Sequence, residues 1–233
     1  SRTWILNICI YINMENFYLK NEVKKHIDQP FNPNFHLHNF ELPFRMLVIG
    51  SSGGGKSNFV CNLLKRFCTG KGTFDEIKIF CKSKHEPLYE YLAEASKGMI
   101  EVIDDLSQLP QINELDTKKQ KLFIMDDLVL ETNPLISEYW IRARKKNCSL
   151  MYLTQSFYKT NKLIRQNCRY FVIVKIAGSR DLSCLLKDIA CDKTKEELIK
   201  LYTYSTNEKF SVLTIDGDSS ERKYRKNFTE FLD

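Results

Sequence analysis

Short apolar runs alternate along the chain with segments of helical spacing. Residues 46–49 form an apolar run that stops at a glycine-rich segment, the pattern of a strand buried on both faces. From Lys56 to Cys68 the apolar residues fall at 59, 60, 63, 64 and 67, which is one face of a helix. Further apolar runs predict strands at 77–81, 99–103, 122–127, 148–155, 170–176 and 210–216, with 99–103 at a sheet edge. Helices are predicted over 87–95, where Pro87 occupies the opening turn, and over 134–146, 180–190 and 194–203. A further strand is predicted at 34–40, with His36 and His38 alternating along it. Strands that alternate with helices imply an α/β fold, with a mostly parallel central sheet and helices on both faces.

The flanks differ in texture. Residues 1–42 read as an amino-terminal arm, polar from Met14 onward and punctuated by Pro30 and Pro33. Residues 43–216 read as the main domain, and residues 217–233 as a charged tail, loosely held. The run from Trp4 to Ile12 is apolar but falls short of the ~18 residues of a membrane span. Met14 is read as the natural start, with residues 1–13 lying ahead of it. A length of 233 residues suits one domain with short extensions.

Composition narrows the classes. Hydrophobic residues at 43% and charged residues at 27% exclude a wholly disordered chain. The net charge of +6 permits a polyanionic partner without demanding one. Eight cysteines (9, 61, 68, 81, 148, 168, 184 and 191) occur without C-x-x-C pairs, several inside apolar runs. They read as buried free thiols in a reducing compartment, not as a disulfide framework. Four histidines (26, 36, 38 and 85) show no zinc-ligand spacing.

Four of the nine glycines fall between Gly50 and Gly55. The segment Gly50, Ser51, Ser52, Gly53, Gly54, Gly55, Lys56, Ser57 matches G-x-x-x-x-G-K-[ST] in full, between a predicted strand and a predicted helix. Such a loop wraps its N–H groups around phosphates, and the following helix adds its N-terminal dipole. Lys56 is placed to reach the β- and γ-phosphates of ATP, and the Ser57 hydroxyl to bind Mg²⁺.

The run Leu122 to Met125 delivers Asp126 and Asp127 to a strand tip, where alternation sends the two carboxylates apart. Asp126 is the candidate metal ligand and Asp127 the candidate general base for an attacking water. Seventy positions separate Lys56 from Asp126, room for two further strands and a helix. The spacing fits the P-loop class in which an additional strand lies between the two motif strands. The strand 148–155 ends in Thr154-Gln155-Ser156, and the Gln155 amide is a candidate to hydrogen-bond the water or the γ-phosphate. Ser156 is equally suited to cap a helix. Ahead of that strand, Arg142 to Lys146 carries four positive charges in five residues, which complement a helix C-terminus or supply an arginine finger. Arg144 is the preferred finger and Arg142 the second choice, with Arg165 and Arg169 as rivals.

The segments PFRMLVIGSSGGGKSNF, LFIMDD, ARKKNCSLMYLTQSF and LIRQNCRYFVIVK together resemble the packaging-ATPase branch of the FtsK–HerA superfamily. The likeness is to the poxvirus-type genome-packaging ATPases of large DNA viruses, virophages and Polinton-like elements, and spans residues 43–190. It implies a RecA-like fold, a homo-oligomeric ring, and ATP hydrolysis with Mg²⁺ that drives double-stranded DNA into a capsid irrespective of sequence. It also implies a capsid protein as partner, no membrane, and a place in the host cytoplasm, viral factory or virion. By position, Lys56 and Ser57 match the nucleotide motif, Asp126 and Asp127 the acidic pair, Gln155 the sensor and Arg144 the finger. Asp127 stands where many members carry Glu. A nucleoside or nucleotide kinase is the rival enzyme, and a non-catalytic nucleotide-binding relic the rival of another class. A GTPase is disfavoured, because Asn161-Lys162-Leu163-Ile164 lacks the base-reading Asp.

Overall fold

The structure is a computed structural model and describes residues 17–24, 30–128, 134–190 and 192–232. Residues 1–13, Met14, Cys9, His26 and Cys191 lie outside the described residues. The chain forms two compact units, Ser1–Pro30 and Phe31–Asp233. In the first, a 3₁₀ turn (Phe17–Leu19) leads into a single helical turn, α1 (Asn21–Lys24).

The second unit holds the predicted domain. Its strands are β1 (Arg45–Ile49), β2 (Glu76–Phe80), β3 (Ile100–Ile103), β4 (Lys121–Asp126), β5 (Cys148–Thr154), β6 (Tyr170–Ile173), β7 (Leu213–Asp216), β8 (Tyr224–Lys226) and β9 (Glu230–Leu232). They form one sheet in the order β3-β2-β4-β5-β1-β6-β7-β8-β9. The first six strands run parallel. The last three join antiparallel. β3 sits at the edge, as expected, and β5 is the strand inserted between β1 and β4.

Strand alternation divides the core in two. Met46, Val48, Leu122, Ile124, Met151 and Leu153 face one side. Leu47, Ile49, Phe123, Met125, Leu150 and Tyr152 face the other. The first side is covered by α3 (Lys56–Phe67), through Phe59, Val60, Leu63 and Phe67, and by α4 (Pro87–Ala95), through Tyr89. The second is covered by α5 (Pro134–Arg142), α6 (Lys162–Asn167), α7 (Ser179–Ile189) and α8 (Lys195–Ser205). Helices therefore lie on both faces. Pro87 opens α4 as expected. α8 starts with a capping box between Thr194 and Glu197.

Three expectations differ from the structure. The predicted strand 34–40 is instead α2 (Phe35–His38), closed by Asn39 in the left-handed region at φ 56°. Too few residues alternate there to impose a strand, and Asn tolerates the left-handed closure. His38 is buried; its Nδ1 accepts the Phe40 N–H at 3.0 Å and its Nε2 faces Asn32 Oδ1 at 3.2 Å. The compact unit accordingly begins at Phe31 and includes part of the predicted arm.

Residues 217–233, expected to be loosely held, carry β8 and β9 and complete the sheet. The predicted helix 134–146 is α5 up to Arg142, then a 3₁₀ turn over Ala143–Lys146. Six cysteines among the described residues are free thiols; Cys81 and Cys148 are buried and Cys184 is exposed. No helix among the described residues is long and apolar enough to cross a membrane.

Candidate nucleotide site

Parallel strands deliver their C-terminal ends to one edge of the sheet, where ligands of open α/β folds bind. Here β1 delivers the glycine loop, β4 the acidic pair and β5 Gln155. The loop is strapped to its neighbours: Gly50 N–H donates to Thr154 O at 3.1 Å and Ser51 N–H to Lys175 O at 3.3 Å. Ser51 Oγ accepts the Ala177 N–H at 3.1 Å. A Cβ at Gly50 would lie 1.9 Å from Val174 Cγ2, so only glycine lets the loop pass there. Gly55, at φ 102°, takes a conformation that L side chains rarely adopt, and α3 begins at the next residue. Ser52, Gly53 and Gly54 complete the turn, with Gly54 N–H donating to Ser51 O at 3.0 Å.

Lys56 folds back over this loop. Its Nζ donates to Gly50 O at 2.9 Å and to Ser51 O at 3.1 Å. Burial pulls its pKa below the usual lysine value, opposed by Asp126 and Asp127. Ser57 follows in the first turn of α3.

Asp126 is the last residue of β4, and burial raises its carboxyl pKa against the opposing effects of Tyr89 and Lys56. Tyr89 is fully buried and donates its hydroxyl to Asp126 Oδ2. Glu86, just before α4, also has its carboxyl pKa raised, by burial and then by Asp126. Asp127 leaves the strand at φ 52°, with its N–H donating to Leu153 O at 3.2 Å. The carboxylates thus part through a left-handed turn as well as through strand alternation. Gln155 Nε2 donates to Asp127 Oδ2 at 3.3 Å. Ser156 opens a turn, with its Oγ accepting the Lys159 N–H at 3.4 Å, and no helix starts there.

The donors suit Mg²⁺. A hydroxyl and one carboxylate are hard oxygen ligands, and Mg²⁺ takes few protein ligands, completing its shell with water and phosphate oxygens. The described residues contain no group of three or more His, Cys, Asp or Glu that could form an all-protein metal cage.

The arginines separate clearly. Arg144 precedes β5, whose seven residues lead to Gln155. A strand of that length spans roughly 23 Å. Arg144 therefore lies at the opposite edge of the sheet from the loop and is exposed. Arg142 pairs with Glu138 and donates to Asn113 Oδ1 at 3.1 Å. Arg165 donates to Thr160 O at 3.1 Å and lies over the Phe157 ring at 4.7 Å. Arg169 is held by Asp216 at 2.9 Å and Glu41 at 2.6 Å. The sequence reading missed Tyr89 and Glu86. Tyr89 lies within a predicted helix, but nothing local links that helix to the tip of β4.

The family described as Poxvirus A32 protein matches residues 34–225, most of the chain. The chain belongs to the Poxvirus A32 protein family. The match to this A32 family runs from α2 into β8 and encloses the loop, the acidic pair and Gln155. No curated protein sequence matches significantly.

Solved structures show the same fold. B204, the DNA-packaging ATPase from Sulfolobus Turreted Icosahedral Virus, superposes with a TM-score of 0.59 at 16% identity, covering 79% of this chain and 97% of B204. The genome packaging NTPase B204 from Sulfolobus turreted icosahedral virus 2, in complex with AMPPCP, gives 0.57 at 15% identity, covering 81% and 98%. EssC (ATPases 2 and 3) from Geobacillus thermodenitrificans gives 0.57 at 11% identity, covering 81% of this chain but 40% of that one.

Proposed function

We propose that this A32 family chain is a Mg²⁺-dependent ATPase motor that drives double-stranded DNA into a viral or virus-like capsid. The observation that carries this reading is the meeting of four elements at one sheet edge. The phosphate loop, Asp126, Asp127 and Gln155 converge there because β5 lies between β1 and β4. B204 supports the packaging role as a fold relative that is itself a genome packaging NTPase.

In this reading the loop N–H groups and the start of α3 bind the phosphates. Lys56 exchanges the Gly50 and Ser51 carbonyls for phosphate oxygens. Ser57 and Asp126 hold Mg²⁺, which neutralises phosphate charge when bound. Tyr89 fixes the orientation of the Asp126 carboxylate. Asp127 takes the proton of the attacking water, and the Gln155 amide, bonded to Asp127, aims that water and relays the nucleotide state along its loop. Arg144, at the far end of the strands, serves a neighbouring protomer's site in a ring. The ring, the DNA and the capsid protein are the partners, and the six free thiols fit a reducing compartment.

Phosphate release measured with and without duplex DNA tests the proposal. The expected result is stimulation by DNA of any sequence, falling steeply with salt as phosphate contacts are screened. Phosphate transfer to nucleosides, with no effect of DNA, would establish the kinase reading instead.

A further inference from the structure

Phe210 lies just ahead of β7 and is 46% exposed although aromatic. Its φ is 69°, in the left-handed region, where a bulky residue is an outlier that its surroundings must hold in place. The ring presses on the phosphate loop: a Cβ at Gly55 would lie 2.9 Å from Phe210 Cδ1. A groove of about 300 Å³ opens beside it, lined by Asn58, Asn62, Arg66, Lys209, Phe210 and Phe228 among others.

We propose that this groove holds the purine base of the nucleotide, stacked on the Phe210 ring. The proposal rests on the reading of Gly50 to Ser57 as the phosphate site. Asn58 directly follows Ser57, so the groove begins where the phosphate loop ends. Asn58 and Asn62 are one helical turn apart on α3 and share a face. Asn62 donates through Nδ2 to Asn58 O at 2.9 Å, so its Oδ1 and the Asn58 amide are the groups that offer acceptors and donors to the edge of a base.

Both cations of the groove already have partners. Arg66 is committed to Leu37 O at 3.1 Å and Asn62 O at 2.9 Å, and its guanidinium lies 4.0 Å from the centre of the Phe228 ring. Lys209 Nζ lies over the Phe210 ring, 5.0 Å from its centre, on a flexible side chain that a base stacked on that face displaces. An exposed ring, held at a cost in backbone conformation and flanked by amides, is a stacking platform. A purine presents the larger stacking surface and fills it better than a pyrimidine.

Calorimetry with ATP and with inorganic tripolyphosphate, in the presence of Mg²⁺, provides the test. In the wild type, ATP binds more tightly than tripolyphosphate. Phe210→Ala weakens ATP about 10- to 100-fold, the range for loss of one aromatic stacking partner, and leaves tripolyphosphate unchanged. Phe210→Trp retains ATP affinity and gains an ATP-dependent quench of tryptophan fluorescence over the wild type. Phe210→Gly, which accepts the left-handed backbone, melts at or above the wild-type temperature while losing ATP affinity as Phe210→Ala does. This separates loss of stacking from loss of fold.

Equal weakening of both ligands in Phe210→Ala, or no weakening of ATP, overturns the proposal. A wild type that binds tripolyphosphate as tightly as ATP also overturns the base subsite but leaves the phosphate site standing. A wild type that binds neither overturns both.

Discussion

In the parallel half of the sheet, β4 reads KLFIMD and β5 reads CSLMYLT, and only Asp126, at the tip of β4, is not fully buried. In the antiparallel half, β8 reads YRK and is just as buried. Apart from Lys121, which opens β4 and is itself buried, β4 and β5 follow the composition rule for strands covered on both faces. β8 breaks it, because long side chains can be buried by their stems while their charged ends find partners. Arg225 lies over the Phe40 ring at 4.5 Å and donates to Asn39 O at 2.9 Å. Lys226 donates to Glu208 at 2.8 Å and Asn207 at 3.3 Å. Labour is divided: the apolar strands hold the chemistry at their tips, and β8 closes the fold through its contacts with Phe40 and Asn39.

Three measurements press on that division. The largest effect is expected from Lys56→Ala, which removes a partly buried ammonium from the phosphate site. ATP affinity falls by roughly 100-fold or more, the scale for deleting one partner of a buried charged contact, and the melting curve stays where it was. A variant that unfolds instead would show that the loop is structural as well as chemical.

Arg225 should behave in the opposite way. Arg225→Ala costs about 2–4 kcal/mol in urea unfolding, through lost packing and the lost bond to Asn39, while the folded fraction keeps its ATP affinity. Arg225→Met costs less, because Met preserves the stem. The guanidinium also leaves Nε and Nη2 without hydrogen-bond partners among the described residues. Equal losses in the two variants would mean that the charge itself holds β8.

The effect that is smallest near neutral pH is a pH slope. Burial, and then Arg225, hold the His38 imidazole at a pKa of about 3, against 6.5 when unfolded. Between these values the unfolded chain binds a proton that the folded chain refuses, so His38 removes stability as pH falls from 6.5 toward 3. The slope approaches ~1.4 kcal/mol per pH unit within that window. Unfolding titrations of His38→Gln should lack this component. An unchanged slope would assign acid sensitivity to the carboxylates instead.

Legibility follows the same line. The helical stripe of α3 and the glycine loop are local patterns, readable residue by residue. The acidic pair was readable as a strand tip, but not the left-handed turn at Asp127 that ends the strand. The contacts of Asp126 with Tyr89 and of Asp127 with Gln155 join residues 37 and 28 positions apart, and no periodicity encodes them. The stretch 217–233 is charged yet paired in the sheet, because charge density does not fix exposure. His36 and His38 misled because alternation over so few residues does not decide between a strand and a helical turn.

By itself the sequence determined the chemistry of the phosphate loop, the apolar strands that present it and the mostly parallel sheet, since each depends on neighbours within a few residues. Only the tertiary structure decided which strand enters between β1 and β4, which residue caps Asp126, at which edge Arg144 stands and what lies beside Gly55. Strand order and side-chain packing are settled by contacts between distant segments, and those form only when both faces of the sheet are buried together.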